Sequence, residues 1–372
     1  MFFETDEQRM EEFIKLSHIG GSRADYVQGG GGNTSVKLKN GQMAIKASGF
    51  CLKDIEKNNG YAMLDGNALR KFYRENNPED FEDCEAAGSQ CAKDNVLKVE
   101  GLPMLRPSVE AGFHSILKTY VLHTHSVFAN LAACTVGGRE VAQKAFRYAP
   151  YTWGWVDYQD PGAKLAFAIR DELDRVEKET GRAPAVIIMQ NHGIIVHDDD
   201  AVSALAIHAD ANVRLAAHYG LAENAFPRVK ITELAGGVYQ ANTPYLKENL
   251  TDCALSQEQL LYEPLYPDQM VFLVGTYFQD KDTIDDGQAV SSTKTGELLL
   301  RMSPQKAQAL TEVLTAVFFI IEHVQKNGYN VSTMSDAARN FIANWESEKY
   351  RSTLNEKKNE ECAYEYQLHP SC

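Results

Sequence analysis

The chain has 372 residues, a length that exceeds what one compact core usually fills, so we expect two domains. Its hydrophobic residues, 44% of the total, are sufficient for two cores. Its net charge of −14 argues against nucleic acid as a partner, because phosphate backbones are bound by surplus lysine and arginine. The seven cysteines form no Cys-x-x-Cys pair, no apolar run reaches bilayer length, and the first residues do not resemble a signal peptide, so we expect a cytoplasmic protein with reduced thiols and no membrane partner.

A glycine-rich loop follows the first predicted helix. Apolar residues at helical spacing predict a helix over residues 7–19 that stops at Gly20-Gly21. The four glycines at 29–32 precede Asn33-Thr34-Ser35, and such a segment lets the backbone approach a ligand and point its N–H groups at oxygens. A flexible turn is the alternative. The loop lacks the Lys-Ser/Thr of a Walker loop and the preceding strand of a dinucleotide fingerprint.

A β-hairpin is predicted directly after this loop. Residues 36–39 and 43–46 flank Asn40-Gly41, a dipeptide that favours a tight hairpin turn. The hairpin would bring the glycine loop at its entry beside Ser48-Gly49 at its exit. Two polar, sterically open turns at one end of a sheet suggest a cradle for an oxyanion or phosphate.

A lysine could give this cradle the positive charge that the acidic chain otherwise lacks. Lys46 and Lys53 are both placed for this role. A solvated lysine at a strand edge is the alternative for each. We favour Lys46 as the anion-binding residue.

The next helices lead to a glutamate with two interpretations. Residues 64–76 are predicted to form a helix capped by Asp65, and residues 77–100 a mobile surface insertion. A further helix is predicted to open at Arg106–Glu110, with Ser108 as a possible N-cap. Glu110 in its first turn could simply complement the helix dipole. Alternatively it faces a metal and acts as general base and acid, and the residues alone leave both interpretations open.

Three histidines have the spacing of a metal site. In the extended segment 121–126, His123 and His125 project to the same side, because successive side chains of a strand alternate. A third imidazole, His192, comes on the turn after the apolar run 185–189. Three histidines with one open position are typical of a catalytic rather than a structural zinc. The alternative is a chance His-x-His pair with one buried and one exposed residue.

The remaining helices predicted before residue 222 are indicated by capping residues, by a proline at one start and by glycines at two ends. Ser126 could cap a helix through Cys134, Asp160-Pro161 could start one that ends at Gly181, and Asp198–Asp200 could cap one that reaches Gly220. Three further histidines have no spaced partner and are interpreted as structural or exposed; they are His197, His208 and His218.

Taken together in this order, these motifs resemble the class II aldolase/adducin family over roughly residues 8–222. The motifs that carry the resemblance are Gly29–Ser35, Ser48-Gly49, Pro107–Glu110, His123–His125 and Asn191–Gly193. The resemblance implies a three-layer α/β/α domain around a largely antiparallel sheet, commonly in a four-fold symmetric homotetramer.

The resemblance also implies roles for individual residues. Zinc would bind His123, His125 and His192, with Glu110 as catalytic acid and base. The positions that would hold a substrate phosphate are Gly32, Asn33, Ser48, Gly49 and Ser108. Val109 stands where sugar-phosphate aldolases of the family carry a second hydroxyl residue.

The composition changes at Phe226-Pro227, so we expect an aldolase-like domain at 1–224 and an α+β extension at 225–372. The extension is predicted to contain strands at 268–278 and 297–302, a polar loop at 280–294, helices at 304–326 and 334–354, and a frayed tail from Asn355. Residues 344–351 resemble the end of the aldolase half of bifunctional rhamnulose-1-phosphate aldolase/alcohol dehydrogenases, but the chain has no dinucleotide-binding glycine motif.

The expected function is therefore a zinc-dependent aldolase. Its substrate would be a ketose 1-phosphate, such as rhamnulose or fuculose 1-phosphate, cleaved to dihydroxyacetone phosphate and an aldehyde. The same fold also accommodates a pentulose-phosphate 4-epimerase, a sugar-phosphate dehydratase and a decarboxylase of oxo-acid phosphates. A non-catalytic, adducin-like interaction domain is the alternative from another class, although such a scaffold has no need of three imidazoles and an acid.

Overall fold

The computed structural model describes residues 4–344, and its larger sheet has seven strands in the order β3-β2-β1-β4-β7-β6-β5. All neighbouring strands are antiparallel except the parallel pair β5 and β6. The strands are β1 (Asn33–Lys37), β2 (Gln42–Lys46), β3 (Tyr61–Asp65), β4 (Tyr120–Thr124), β5 (Trp153–Val156), β6 (Val186–Met189) and β7 (Gly193–Asp198).

Helices cover both faces of this sheet, which confirms the predicted three-layer α/β/α architecture. One face carries α1 (Glu4–Gly21), α5 (Val127–Ala133), α6 (Gly138–Ala145) and α8 (Ala201–His218). The other carries α2 (Gly66–Glu75), α3 (Cys84–Asp94), α4 (Ala111–Ile116) and α7 (Ala163–Thr180). The hairpin turn at Asn40-Gly41 and the Asp65 cap of α2 are as predicted.

Strand β4 lies at the centre of the sheet and sets the direction of the first histidine. Its register pairs His123 with Asn33 of β1 on one side and with Ile195 of β7 on the other. Because side chains alternate along a strand, Val121 and His123 face α4, whereas Leu122 packs in the core beneath α1.

Several local predictions in this half were wrong. Residues 77–100 include the ordered helix α3, because Asp83 caps it and Glu85 accepts hydrogen bonds from two backbone amides at the start of α7. Ser108 is not a helix cap, since α4 begins only after Glu110. Helix α7 starts at Ala163, two residues beyond the proline expected to begin it.

The second sheet has five strands in the order β10-β11-β12-β9-β8 and is antiparallel except between β10 and β11. Its strands are β8 (Ile231–Glu233), β9 (Val238–Ala241), β10 (Tyr277–Gln279), β11 (Gln288–Ser291) and β12 (Leu298–Arg301). The helices of this part are α9 (Pro244–Leu250), α10 (Gln257–Tyr262), α11 (Pro267–Leu273), α12 (Pro304–Lys326) and α13 (Asp336–Asn344).

The C-terminal predictions were mixed. The helix at 304–326 and the strand near 297–302 are confirmed. The strand expected from residue 268 is helix α11 up to Leu273, because Pro267 fits a first helical turn and the apolar run was too short to separate helix from strand. The polar loop at 280–294 contains β11. Three predictions lie wholly or largely outside the described residues. They are the end of the helix at 334–354, the segment 344–351 that resembles the end of an aldolase half, and the frayed tail from Asn355.

Helix α12 is long and apolar enough to cross a membrane, yet 72% of its most apolar 18-residue segment is buried inside the protein. It packs against α5, where the rings of Phe319 and Phe128 lie 6.2 Å apart. One continuous apolar cluster therefore includes residues from both sides of the boundary expected at residue 225. The boundary itself stays a prediction.

Candidate metal centre and active site

Three buried imidazoles meet at one end of the larger sheet. The ring centroids of His123, His125 and His192 are 4.9 to 5.1 Å apart, and one nitrogen from each ring lies within 4.8 Å of the others. The Nε2 atoms of His123 and His125 are 3.1 Å apart. The structure thus brings together all three histidines that the sequence singled out, although His125 lies just past the end of β4.

The conformation of the turn that carries His192 depends on the two residues that flank this histidine, Asn191 and Gly193. Asn191 has a φ of 50°, a left-handed conformation that asparagine tolerates, and its amide donates to the Leu265 and Ser332 carbonyls. A Cβ at Gly193 would lie 2.3 Å from the Thr124 carbonyl oxygen. Asn191 and Gly193 therefore let the turn approach β4 closely enough for His192 to join the other two rings.

The protonation of His123 suits a metal ligand. Its Nδ1 lies 3.0 Å from the Ile194 carbonyl oxygen, and because a carbonyl only accepts, Nδ1 carries the proton and Nε2 presents a lone pair. Burial lowers the pKa of His123 to about 3, against the opposing effect of Glu110, so the ring is neutral near pH 7. Neutral imidazole is the form that binds metal.

Glu110 points into the group of imidazoles. One carboxylate oxygen lies 3.2 Å from His192 Nε2, and the other lies 3.5 Å from His123 Nε2 and accepts a 2.5 Å hydrogen bond from Asn33 Nδ2. The side chain makes no capping hydrogen bond to α4. Burial favours a raised pKa for Glu110, but the adjacent imidazoles outweigh it and hold the pKa well below its usual value. Glu110 is therefore a buried carboxylate.

This donor set fits a cation. The imidazole nitrogens and the Glu110 carboxylate lie close together, and within residues 4–344 Glu110 Oε1 is buried without a hydrogen-bond partner. Buried polar atoms are normally satisfied, so an unpartnered carboxylate oxygen among ligand nitrogens marks a place where a positive ion is expected.

The residues of the predicted phosphate cradle lie beside this centre. Ser108 Oγ accepts a 3.1 Å hydrogen bond from Asn33 Nδ2, and an Ala47–Pro107 bridge holds the two chain segments together. Within the described part of the chain, Ser48 Oγ is buried without a hydrogen-bond partner. Gly32 and Gly49 have φ values of 67° and 84°, and a Cβ at Gly32 would lie 2.6 Å from the His123 carbonyl oxygen.

Lys46 joins the two loops of the cradle. Its buried Nζ donates to the Gly30 carbonyl at 3.1 Å and to the Phe50 carbonyl at 2.7 Å. Its charge therefore lies between the glycine loop and the turn at Ser48-Gly49.

His114 contacts Asn33 of the site, and no sequence pattern points to it. Its Nε2 bonds the side-chain oxygen of Asn33 and its Nδ1 lies 2.7 Å from Ser35 Oγ. Because the side-chain oxygen of Asn33 faces His114, the side-chain nitrogen of Asn33 is directed at Glu110. No spacing rule in the sequence connects these residues, because they meet across α4 and β1.

The C-terminal part reaches the same centre. Asp268 Oδ2 lies 2.6 Å from His125 Nδ1, and the Tyr266 hydroxyl donates to the Gln28 side chain at 3.2 Å. A cavity of about 30 Å³ beside the imidazoles is lined partly by Val109, Pro267 and Ile342. A volume of this size holds about one water molecule. No sequence pattern points to Asp268, which lies in a segment predicted to be a strand.

Comparison with known proteins agrees with this geometry. The profile of the class II aldolase and adducin N-terminal domain matches residues 11–216, more than half of the chain, and the chain belongs to this family. Class II aldolases are metal-dependent, and the three histidines form a group that could bind a metal ion. No curated protein matches the chain.

Several solved structures are similar to part of this chain. The N-terminal class II aldolase domain of a Thermoplasma acidophilum protein is 21% identical over 58% of this chain and 94% of its own, with a TM-score of 0.45. An L-fuculose 1-phosphate aldolase is 18% identical over 56% and 84%, with a TM-score of 0.37. A sugar-phosphate aldolase from Thermotoga maritima is 15% identical over 56% and 95%, with a TM-score of 0.38.

Proposed function

We propose that this protein is a zinc-dependent aldolase that cleaves a ketose 1-phosphate, such as rhamnulose or fuculose 1-phosphate, to dihydroxyacetone phosphate and an aldehyde. The observation that carries the proposal is the position of Glu110, whose carboxylate lies within 3.5 Å of two of the three clustered imidazoles. A protein that only bound partners would have no need of a buried acid beside a metal-binding group.

The donor set supports zinc as the metal. Three imidazoles form a borderline-soft site, and three protein ligands with one open position are typical of a catalytic zinc. His123, His125 and His192 would hold the ion, and the Glu110 carboxylate would lie beside it. When bound, zinc supplies the Lewis acid that a retro-aldol step needs for the negative charge left on the carbonyl side.

Glu110 is suited to move the proton of such a step. Asn33 fixes one carboxylate oxygen, while the other, Oε1, has no hydrogen-bond partner among residues 4–344 and can accept a proton. The lowered pKa keeps the group ionised, the form required of a base. Gly32, Ser48, Gly49 and Ser108 would hold the substrate phosphate through backbone N–H groups and hydroxyls, with Lys46 bracing the two loops.

Substrate binding requires a movement of the C-terminal part. The cavity beside the imidazoles has a volume of about 30 Å³, whereas small-molecule sites usually occupy ~300–1,000 Å³. Pro267 and Ile342 form part of its wall. A shift of helix α13, which carries Ile342, would therefore be needed before a ketose phosphate could reach the metal.

The test is cleavage of a panel of ketose 1-phosphates and the corresponding free ketoses by zinc-loaded protein, with detection of dihydroxyacetone phosphate. Release of this product from one phosphorylated ketose, but not from its free form, is the expected result. Epimerised, dehydrated or decarboxylated products without carbon–carbon cleavage would assign the site to another reaction of the same fold. Zinc-loaded protein that converts no member of the panel would contradict the proposed reaction.

A further inference from the structure

We propose that Asp268 is the residue that positions His125 for the metal, so that the C-terminal part of the chain completes the metal centre. Asp268 lies outside residues 11–216, the segment that matches the family. The inference rests on the proposed function in one respect, since it requires that the three histidines bind a metal ion.

The contact between the two side chains defines the orientation of the ring. Asp268 Oδ2 is 2.6 Å from His125 Nδ1, and both residues are buried. A carboxylate only accepts hydrogen bonds, so Nδ1 carries the ring proton and Nε2 presents its lone pair. That Nε2 lies 3.1 Å from His123 Nε2, in the centre of the group. A hydrogen-bonded carboxylate also makes the imidazole a more basic ligand.

The glycine loop makes room for this contact. A Cβ at Gly31 would lie 2.5 Å from Asp268 Oδ2 and 2.9 Å from His125 Nδ1, closer than real Cβ atoms approach such groups. The left-handed positions of the loop are its neighbours Gly29 and Gly32, so Gly31 is needed for space rather than for its backbone conformation. At Gly30, by contrast, a Cβ would meet nothing within 4 Å.

The segment that carries Asp268 is held firmly. The Gln269 side chain accepts from the Leu265 backbone N–H at 2.8 Å and donates to the Leu260 carbonyl at 2.6 Å. On the other side of the contact, the backbone N–H of Gly29 donates to Glu312 of α12 at 3.0 Å. The segment around Asp268 is therefore anchored within the C-terminal part, which also contacts the glycine loop through Glu312.

An acid in the first turn of a helix also has an ordinary structural role, because it complements the helix dipole. In that case loss of Asp268 would lower stability and leave metal affinity unchanged. Metal affinity therefore separates a positioning residue from a helix-end acid.

The experiment measures zinc affinity of the full chain by competition with a chromophoric chelator. Asp268→Ala is expected to weaken binding about 10- to 100-fold, the usual effect of removing a carboxylate that holds a metal-bound histidine. Asp268→Asn should fall in between, because its amide oxygen still accepts from Nδ1 but carries no charge. Glu172→Gln alters a buried carboxylate whose partners are Trp155 and Arg175, and it should leave zinc affinity unchanged.

A pair of glycine variants tests the same contact without touching Asp268. Gly31→Ala should weaken zinc binding because the added methyl group displaces the carboxylate from His125, whereas Gly30→Ala should bind zinc like the wild type. The double variant Gly31→Ala/Asp268→Ala should bind no more weakly than Asp268→Ala alone, since both changes remove one interaction. This arm remains informative if Asp268→Ala fails to fold.

Two results would count against the claims in different ways. A wild-type chain that binds no zinc would overturn the proposed function itself. A wild-type chain that binds zinc, with Asp268→Ala and Gly31→Ala binding as tightly, would overturn the role of Asp268 and leave the aldolase proposal standing.

Discussion

Replacement of Glu110 by glutamine separates a catalytic acid and base from a glutamate that only precedes a helix. Glutamine keeps the shape of the side chain and removes its capacity for proton transfer. A positioned general base contributes roughly 10²–10⁴-fold in rate, which corresponds to about 2.7–5.5 kcal/mol of activation free energy. A charge at a helix end contributes about 0.3–1 kcal/mol of stability and nothing to turnover. The structure favours the larger effect on rate, because Glu110 makes no capping bond and faces two imidazoles.

Glu85 provides a matched control within the same chain. Its carboxylate accepts from the Ala163 and Lys164 backbone N–H groups at 2.7 and 2.9 Å, so it stabilises the start of α7. Glu85→Ala should cost about 1.5–3 kcal/mol of stability, the usual range for hydrogen bonds to a charged group, and leave turnover unchanged. Glu110→Gln should do the reverse, with little change in melting temperature.

The assay follows exchange of a dihydroxyacetone phosphate proton with solvent deuterium by NMR. This half-reaction needs the base and the metal but no aldehyde, so it reports on Glu110 independently of the sugar. Exchange should fall at least 100-fold in Glu110→Gln that still holds zinc, in line with the contribution of a general base. Near-normal exchange in that variant would refute the reasoning and assign Glu110 to the helix end.

Three further predictions follow from the same geometry. His123→Ala should remove most bound metal, whereas His208→Ala should retain it because that ring bonds Thr124 on the opposite face of β4; elemental analysis of both variants decides this. Ser48→Ala should raise KM for a phosphorylated ketose more than it lowers kcat, since the phosphate is remote from the breaking bond; an equal effect on the free ketose would contradict the cradle. Burial lowers the pKa of His208 to about 3. Below pH 6.5 the imidazole of His208 therefore gains a proton in the unfolded chain but not in the folded one. The contribution of His208 to the free energy of unfolding should then fall by up to about 1.4 kcal/mol for each pH unit below 6.5. Urea unfolding between pH 6.5 and 4 should show a shallower decline in His208→Asn, and an unchanged slope would exclude the effect.

Much of the candidate site could be predicted from the sequence, because its residues lie on strands and turns that have strong local sequence patterns. The alternation of a strand placed His123 and His125 on one side, and the Asn40-Gly41 turn brought the glycine loop to Ser48-Gly49. The two interpretations of Glu110 could not be separated, because the direction of a side chain just before a helix depends on how that helix packs against the sheet.

The parts that sequence reasoning missed depend on long-range packing. Asp268 meets His125 across 143 residues, and His114 meets Asn33 across 81, so no local pattern connects them. The segment 77–100 looked mobile because it is polar, yet Glu85 ties it to α7. The short apolar run of α11 fits both a helix and a strand, and the packing of this segment against α12 and α13 decides in favour of the helix.

The most direct test of the central claim is release of dihydroxyacetone phosphate from a ketose 1-phosphate by protein stripped of metal and then given zinc. We expect no release from the chelated chain and recovered release once about one zinc per chain has bound, because residues 4–344 contain one group of three histidines that could hold a metal ion. Equal release before and after zinc, or no release from the fully loaded chain with any ketose phosphate, would contradict the claim that this chain is a metal-dependent aldolase.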